Sequence, residues 1–311
     1  MPKPIRPRLR LAWGASLFVS AAFGCDQGSG EARGPATRPA AATAPATRAT
    51  SAGQPPAPDG RKPGFAAGRV LRQDGRPIAV EGMRIGVTVR GISDRTGQVV
   101  SYSPTVGADG RYEVKLEPGT YRPPAGVVEV PFNGRHYRFE LDPVQRAAAT
   151  FDANAGIHED FVWHLSGPRA TAGGAPDESR AGDWHGGPIT MRYDADRPDL
   201  GRRLTQPPRG TRAVFTLTPT TALADGREGK PITAEREFDE LVGLKNPLIP
   251  DVPLAMYSVT GVELRPDGQR HPLLFLRPGG AWGDSVEGTF DPNLESGGLD
   301  PVVIAFTRRE E

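Results

Sequence analysis

One serine in this sequence has neighbours that suit a nucleophile, in the run Gly283-Asp284-Ser285. A serine attacks a carbonyl only when a neighbouring base takes its proton, and many hydrolase nucleophiles sit on a sharp turn from a buried strand into a helix. Here Val286-Glu287-Gly288 follows, inside a part of the chain that is rich in predicted strands. This context favours an ordinary turn. A hydrolase that uses Ser285 or a His-centred site is kept as an alternative function, and no catalytic residue is predicted.

Histidines and an aspartate are the best candidates for a metal or His-centred site. His158, Asp160 and His164 alternate with other residues and share one face of a predicted strand. Residues six apart on a strand are separated by roughly 20 Å, so His158 and His164 cannot bind one ion unless the strand bends or ends between them. His158 with Asp160 could supply half a site, and His185 lies in a predicted turn. Exposed polar side chains are the favoured interpretation, and no metal site is predicted.

Two tryptophans are candidates for stacking against a ligand. Trp184 and Trp282 both lie among glycines, as expected for loops, and a flat indole on a loop can stack on a sugar ring. The alternative is that each indole closes the end of a β-sandwich, and that alternative is favoured. The sequence therefore leaves open a carbohydrate- or peptidoglycan-binding function that uses these two residues.

Composition excludes several classes of protein. The 311 residues include 39 glycines and 33 prolines but few aromatic residues, which suits short strands and turns better than helices. The formal charge of +1 gives no footprint for nucleic acid. A single cysteine, Cys25, excludes an internal disulfide and a Cys-rich zinc site. No His-Glu-x-x-His, phosphate loop or EF-hand spacing occurs, so neither a cofactor nor an enzyme is predicted.

The N-terminus has the pattern of an export signal. Four basic residues precede an apolar run, Leu11 to Phe23, that is too short to span a bilayer comfortably. The run ends in Ala22-Phe23-Gly24-Cys25, which resembles the lipobox of bacterial lipoproteins, although that family usually carries Leu at the position of Ala22. The resemblance implies a signal peptide over 1–24 and a lipid on Cys25. A plain secretory signal or a retained signal anchor, with a free thiol at Cys25, is the alternative.

The segment that follows predicts a tether. From 25 to 63 the chain is dominated by Ala, Thr, Pro, Arg and Gly without apolar periodicity. Such a segment buries too little apolar surface to offset the entropy of ordering it, so we expect it to be disordered. Lipid at one end and folded domains at the other would hold a binding unit clear of a membrane.

The next segment, 64–166, has the pattern of a β-sandwich. Met83, Ile85, Val87 and Val89 alternate with polar residues, and Asn133-Gly134 predicts a hairpin turn. Four motifs, Gly68-Arg69-Val70, Asp74-Gly75-Arg76-Pro77-Ile78, Asp109-Gly110-Arg111-Tyr112-Glu113-Val114 and Pro118-Gly119-Thr120-Tyr121, resemble the carboxypeptidase regulatory-like family. This resemblance covers Phe65 to Leu165 and implies a transthyretin-like fold, with Tyr112 and Tyr121 packed across the sandwich. Phe161 and Trp163 are predicted to be core residues.

A second sandwich is predicted over 187–311, after a linker over 167–186. Ala213 to Leu217 forms a clear strand, and the run from Val252 to Val259 parallels the first half when Tyr257 is aligned with Tyr121. This alignment places Ala255 where the family usually has glycine. A repeat of one sandwich is a simpler account than two unrelated folds. A short helix is expected around Glu235 to Val242.

These patterns together predict an all-β protein with two tandem transthyretin-like or immunoglobulin-like sandwiches behind a disordered N-terminal tether. The function predicted is a non-catalytic binding or scaffolding module, exported and anchored to a bacterial membrane through Cys25. Its expected partners are the membrane and either an envelope polysaccharide or another envelope protein. The ligand, the leaflet and the oligomeric state are not determined by the sequence.

Overall fold

The structure, a computed structural model, describes residues 60–78, 81–145, 148–169, 175–197, 202–205, 207–239, 243–293 and 297–309. The signal peptide, Cys25 and all but the last few residues of the predicted tether lie outside these described residues. Residues 54–311 belong to one compact unit. Within its described part the single helical segment is a 3-10 turn at Ala181–Asp183, so the fold is all-β as predicted.

The first sandwich comprises the strands before residue 165. They are β1 (Phe65–Arg72), β2 (Arg84–Ser93), β3 (Val99–Tyr102), β4 (Arg111–Lys115), β5 (Gly119–Tyr121), β6 (Ala125–Phe132), β7 (Arg135–Glu140), β8 (Asp142–Pro143), β9 (Phe151–Asp152), β10 (Ile157–His158) and β11 (Phe161–Trp163). The predicted alternation is confirmed in β2, where Val87 and Val89 are buried. Asn133 and Gly134 both have positive φ and close the β6–β7 hairpin, also as predicted.

The second sandwich comprises the strands from residue 187 onward. They are β12 (Gly187–Tyr193), β13 (Asp196–Arg197), β14 (Arg202–Arg203), β15 (Arg212–Pro219), β16 (Ile232–Asp239), β17 (Gly243–Leu244), β18 (Leu248–Val252), β19 (Tyr257–Leu264), β20 (Arg270–Leu276), β21 (Trp282–Gly283), β22 (Val286–Gly288) and β23 (Val302–Arg308). The helix expected around Glu235 is wrong, because β16 occupies that position and pairs with β15. Ala234 and Phe238 are buried four residues apart, a spacing that fits a helix as well as a strand.

The two sandwiches share much of their strand pairing. In the first, β1 pairs antiparallel with β4 and parallel with β11. In the second, β12 pairs antiparallel with β18 and parallel with β23. The central strands β2 and β15 correspond to each other. Each pairs on one side with the strand that follows it in the chain, β3 or β16, and on the other side with β5 and β6 or with β19. The second sandwich therefore has these strand pairings in common with the first.

A tyrosine at the same place in each sandwich supports this repeat. The Tyr121 hydroxyl donates to the carbonyl oxygen of Glu117 at 3.0 Å. The Tyr257 hydroxyl donates to the carbonyl oxygen of Pro253 at 2.9 Å. Each tyrosine thus bonds the main chain four residues earlier, in a corner that leads into a central strand, and both rings are buried. The two tyrosines that were aligned from the sequence therefore make the same hydrogen bond, each to the carbonyl four residues earlier.

The hydrophobic core is continuous between the two sandwiches. One cluster of buried side chains includes Phe161 and Trp163, the predicted core residues of the first, and Phe215, Phe275 and Phe306 of the second. A smaller separate cluster surrounds Tyr121. Because burial of apolar area is the main stabilising contribution, a shared core couples the two sandwiches energetically.

Candidate functional site

A hairpin in the second sandwich places Trp282 beside polar side chains. Its strands are β20 and β21, which pair at Phe275 with Gly283 and at Leu276 with Trp282. Gly279 and Gly280, with φ of 93° and 88°, make the turn between them. The amide of Arg277 donates to the Ala281 carbonyl at 2.8 Å and closes this turn. The glycines that predicted a loop near Trp282 therefore form the tip of a hairpin, and Trp282 follows that tip.

A cavity of about 470 Å³ opens beside this hairpin. Its lining includes Trp282, Arg277, Asp284 and Arg309. The Arg277 guanidinium lies against Gly283, where a methyl group would overlap it, and its Nε donates to the Ser285 carbonyl at 2.9 Å. Arg309 forms an ion pair with Asp284, which is exposed. The arrangement combines a half-buried indole with charged hydrogen-bonding groups, which is the chemistry needed to hold a sugar ring.

Ser285 occupies the turn between β21 and β22. In the described structure its carbonyl oxygen accepts from Arg277, while the neighbouring Asp284 is engaged by Arg309. The residues lining the adjacent cavity, all of them described, include no histidine. A serine nucleophile needs a base within hydrogen-bond reach. The contacts around Ser285 are instead hydrogen bonds and an ion pair that stabilise a turn.

Trp184 occupies a different environment from Trp282. It forms an isolated antiparallel bridge with Pro168. Its indole N–H donates to the Asp177 carbonyl at 3.1 Å, and its own carbonyl accepts from Arg169 at 2.7 Å. Trp184 is not among the residues that line the cavity at Trp282. The structure therefore does not bring the two predicted stacking residues into one site.

The predicted histidine face is divided between two carboxylates. His158 lies 3.3 Å from Asp160, whose carboxylate also accepts from the Arg69 amide at 2.7 Å. His164 instead lies 3.8 Å from Asp142. Across the described residues, no three histidine, cysteine, aspartate or glutamate side chains are grouped closely enough to hold a metal ion.

A cluster that sequence reasoning missed lies where the two sandwiches meet. The imidazole of His185 lies 2.9 Å from the Asp142 carboxylate, and its ring stacks on His164 with centroids 4.8 Å apart. Burial acts to raise the pKa of Asp142, but the hydrogen bond from His185 and the charges of His185, His164 and Arg169 outweigh it, so this pKa lies below its usual range. Burial and then the charge of His185 lower the pKa of His164. We call this group the histidine cluster.

Asp251 lies beside the histidine cluster and holds the chain on both sides of the predicted linker. Its carboxylate accepts from the amides of Gly167, at 2.8 Å, and Gly186, at 3.1 Å. Burial raises the pKa of Asp251, against the effect of these amides and of His185. Asp251 has a φ of 60°, which is uncommon for a residue other than glycine. No local sequence pattern links Asp142, His185 and Asp251, which are far apart in the chain.

Further contacts join the two sandwiches. The Tyr137 hydroxyl donates to the Phe290 carbonyl at 2.7 Å in a buried environment. The Gly298 amide donates to the Arg138 carbonyl at 2.6 Å, and Arg72 donates to the Asp225 carbonyl at 3.1 Å. Together with the histidine cluster and Asp251, these contacts form what we call the joint.

No protein-family model matches this chain. A comparison with curated proteins also gives no match. Weakly similar solved structures are those of pilins and an adhesin. The major pilin subunit BcpA of Bacillus cereus is 10% identical and covers 80% of this chain and 100% of its own, with a TM-score of 0.22. The C-terminal fragment of the pilus adhesin SpaC from Lactobacillus rhamnosus GG is 9% identical, with coverages of 78% and 97% and a TM-score of 0.23.

The major pilin from Streptococcus pyogenes is 10% identical, with coverages of 79% and 97% and a TM-score of 0.22. These TM-scores are too low for the function of any of these proteins to be carried over to this chain. Among the described residues no helix has the length and apolar character needed to cross a bilayer.

Proposed function

We propose that this chain is a non-catalytic binding or scaffolding module of the cell envelope, tethered to a bacterial membrane through a lipid on Cys25. The observation that carries the proposal is the joint, because a buried hydrogen bond and a shared core hold the two sandwiches together as one unit. Side chains at the joint hold main-chain groups, which suits mechanical support better than turnover. The proposal retains sandwich domains at 64–166 and 187–311, with the carboxypeptidase regulatory-like assignment for the first.

The tether is tested by replacing the cysteine. Cys25→Ser removes the thiol that would carry the lipid, so the chain should move from the membrane fraction to the soluble envelope fraction. Labelling with a fatty-acid analogue should disappear in the same variant. Ser29→Ala, four residues further along, is the matched control and should remain in the membrane fraction. Equal retention of Cys25→Ser in the membrane would contradict the lipid anchor and favour a retained signal anchor.

Scaffolding is tested by rigidity. Spin labels placed at two exposed positions, Val99 in the first sandwich and Val303 in the second, report the distance between the sandwiches. A single narrow distance distribution is expected if the joint holds the two sandwiches together. A broad distribution would show that the sandwiches move independently and would remove the observation on which the proposal depends.

A second candidate function, carbohydrate binding, is favoured by the cavity at Trp282. An indole that stacks on a sugar contributes to the binding free energy through its buried apolar area and through its ring face. Trp282→Ala should therefore abolish binding to an envelope polysaccharide in a sedimentation assay. Trp282→Phe should retain part of it, and Trp184→Ala should retain all of it. Loss of polysaccharide binding in Trp184→Ala alone would show that the binding site is at Trp184 and not at Trp282.

A hydrolase that uses Ser285 is tested by the same preparation. Esterase and peptidase assays of the wild type and Ser285→Ala should give the same background. Activity that is present in the wild type and absent from Ser285→Ala would overturn the non-catalytic assignment.

A further inference from the structure

The outer face of the first sandwich carries a second cavity, separate from the one at Trp282. It has a volume of about 510 Å³ and lies over strands β4, β1 and β10. Ala67 and Gly68 contribute its floor, and Arg69, Arg111 and His158 contribute to its walls. A cavity of this volume is within the range of small-molecule sites. We call it the arginine groove.

The strand register places two like charges against each other in the arginine groove. β1 and β4 pair antiparallel with Arg69 directly opposite Arg111. Like charges at directly opposed positions destabilise a sheet, so the pairing of Arg69 with Arg111 lowers the stability of the first sandwich. An anion between the two guanidinium groups would convert this repulsion into attraction.

Neighbouring acids do not neutralise the arginine pair. Arg111 Nε lies 3.3 Å from Asp109, but both side chains are more than 60% exposed, so this ion pair contributes little. In the described part of the chain no acidic side chain is paired with the Arg69 guanidinium; Asp160 instead accepts from the Arg69 amide and lies beside His158. These contacts leave guanidinium nitrogens of both arginines as donors.

The remaining acid of the arginine groove also has a partner. Glu113 lies opposite Ala67 across the strands, and its carboxylate accepts from Lys62 at 2.8 Å. Ala67 is flanked on the other side by His158, at the parallel β10. A small side chain at the centre, with longer side chains around it, keeps the floor of the groove open.

The second sandwich shows that the repeated fold does not need these residues. Where β12 pairs with β18, Ile189 faces Ile249 and Thr190 faces Leu248. No arginine faces another in the described register of these two strands. The Arg69–Arg111 pair therefore has no counterpart in the equivalent β12–β18 register and is not a consequence of the shared connectivity; the second sandwich opposes two arginines elsewhere, Arg197 and Arg202 of the β13–β14 hairpin.

We propose that the arginine groove binds an oxyanion, a phosphate or a carboxylate carried by a small polar ligand, between Arg69 and Arg111. Planar guanidinium groups match such anions with paired hydrogen bonds, and these charge-assisted bonds are stronger than neutral ones. His158 lies beside the anion, and Ala67 provides the space for the group that carries it. This site is independent of the cavity at Trp282.

The test uses the full chain with Cys25→Ser, titrated calorimetrically at low ionic strength with inorganic phosphate, with D-glucuronate and with D-glucose. Phosphate or glucuronate should bind and glucose should not, and affinity should fall as salt is added. Preference for phosphate or for glucuronate identifies which anion the groove takes. Failure of both anions to bind, or equal binding of glucose and glucuronate, overturns the proposal.

Three variants locate the binding. Arg69→Gln and Arg111→Gln should each weaken binding about tenfold or more, the scale of one charge-assisted contact. Ala67→Leu keeps both charges but fills the floor, and it should weaken binding as well. Arg90→Gln, an exposed arginine on β2 outside the groove, is the matched control and should bind as the parent does. Anion binding that is unchanged in Arg69→Gln, Arg111→Gln and Ala67→Leu contradicts the assignment.

Discussion

The two sandwiches share the pairing of their first and central strands but differ in sheet organisation and in surface side chains. The first is built from two separate sheets, whereas β20 of the second pairs with both β19 and β23 and joins its strands into one continuous sheet. Among the described residues each sandwich buries six aromatic rings, and in the second Phe215 and Phe306 pack edge to face with centroids 4.9 Å apart. In the first, Tyr121 packs in a smaller cluster of its own.

This comparison separates what the fold requires from what each sandwich adds. The tyrosine corner appears in both, so it is part of the connectivity itself. The opposed arginines on β1 and β4 occur in the first sandwich, and the Trp282 hairpin occurs in the second. A repeat with one corner and two different surfaces suits a platform that presents more than one site.

The strongest test of the shared core is Phe306→Ala. Phe306 is fully buried and packs against Phe215, Phe275 and Tyr193. Its truncation should lower the free energy of unfolding by about 3–5 kcal/mol. The core is continuous, so the thermal unfolding of the first sandwich should shift together with that of the whole chain. Trp163 fluorescence reports the first sandwich when Trp13, Trp184 and Trp282 are replaced by Phe.

Val303→Ala, on the same strand but 59% exposed, is the control and should change stability by no more than about 0.5 kcal/mol. A separate, unshifted transition for Trp163 in Phe306→Ala would show that the sandwiches unfold independently.

The joint is tested by Tyr137→Phe. This change keeps the buried ring but removes the hydroxyl that donates to the Phe290 carbonyl. A buried carbonyl left without its donor should cost about 1–3 kcal/mol, measured by denaturant unfolding. The control is Tyr102→Phe. The Tyr102 hydroxyl accepts from the Glu117 amide at the long distance of 3.5 Å, so its removal should lower stability less. Equal stability of Tyr137→Phe and the wild type would argue that this bond does not hold the joint.

The two tyrosine corners test the repeat directly. Tyr121→Phe and Tyr257→Phe each remove one hydrogen bond to a main-chain carbonyl, so each should cost about 1 kcal/mol. The double variant should show the sum, because the corners belong to different core regions. A loss confined to one of the two variants would mean that the corners are similar in geometry but unequal in energy.

The smallest expected effect is the pH response of the histidine cluster. Because the pKa of His164 is lowered, the folded chain binds fewer protons than the unfolded chain just below the ordinary histidine pKa of about 6.5. The contribution of His164 to the free energy of unfolding is therefore fully present above about pH 6.5 and is lost as the pH falls. The lowered pKa of Asp142 acts in the same direction at more acidic pH, below about 3.9.

The raised pKa of Asp251 changes stability in the opposite direction, because its stabilising contribution is lost as the pH rises. Asp251 is present in the wild type and in the variant, so this contribution is the same in both. Between pH 7 and pH 5 the melting temperature of the wild type should fall more than that of His164→Gln. His158→Gln, outside the joint, is the control. Parallel curves for His164→Gln and the wild type would exclude His164 as the group responsible.

Much of the fold was predictable because strand formation depends on local alternation. The buried faces of β2 and β11, the Asn133-Gly134 hairpin and the position of Tyr257 all follow from side-chain periodicity or turn residues close in the chain. The helix expected near Glu235 failed because Ala234 and Phe238 fit both periods, and pairing with β15 decided between them.

By itself, the amino-acid sequence determined that this chain alternates into sheets and that Tyr257 can be aligned with Tyr121, and its N-terminus resembles the signals for export and lipid attachment. Tertiary structure alone decided that His164, His185 and Asp142 meet at the joint, that Arg69 faces Arg111, and that Trp282 and Trp184 occupy separate places. The physical reason is distance along the chain. Periodicity and turn chemistry act between near neighbours, whereas register and packing between distant strands determine which side chains share a surface.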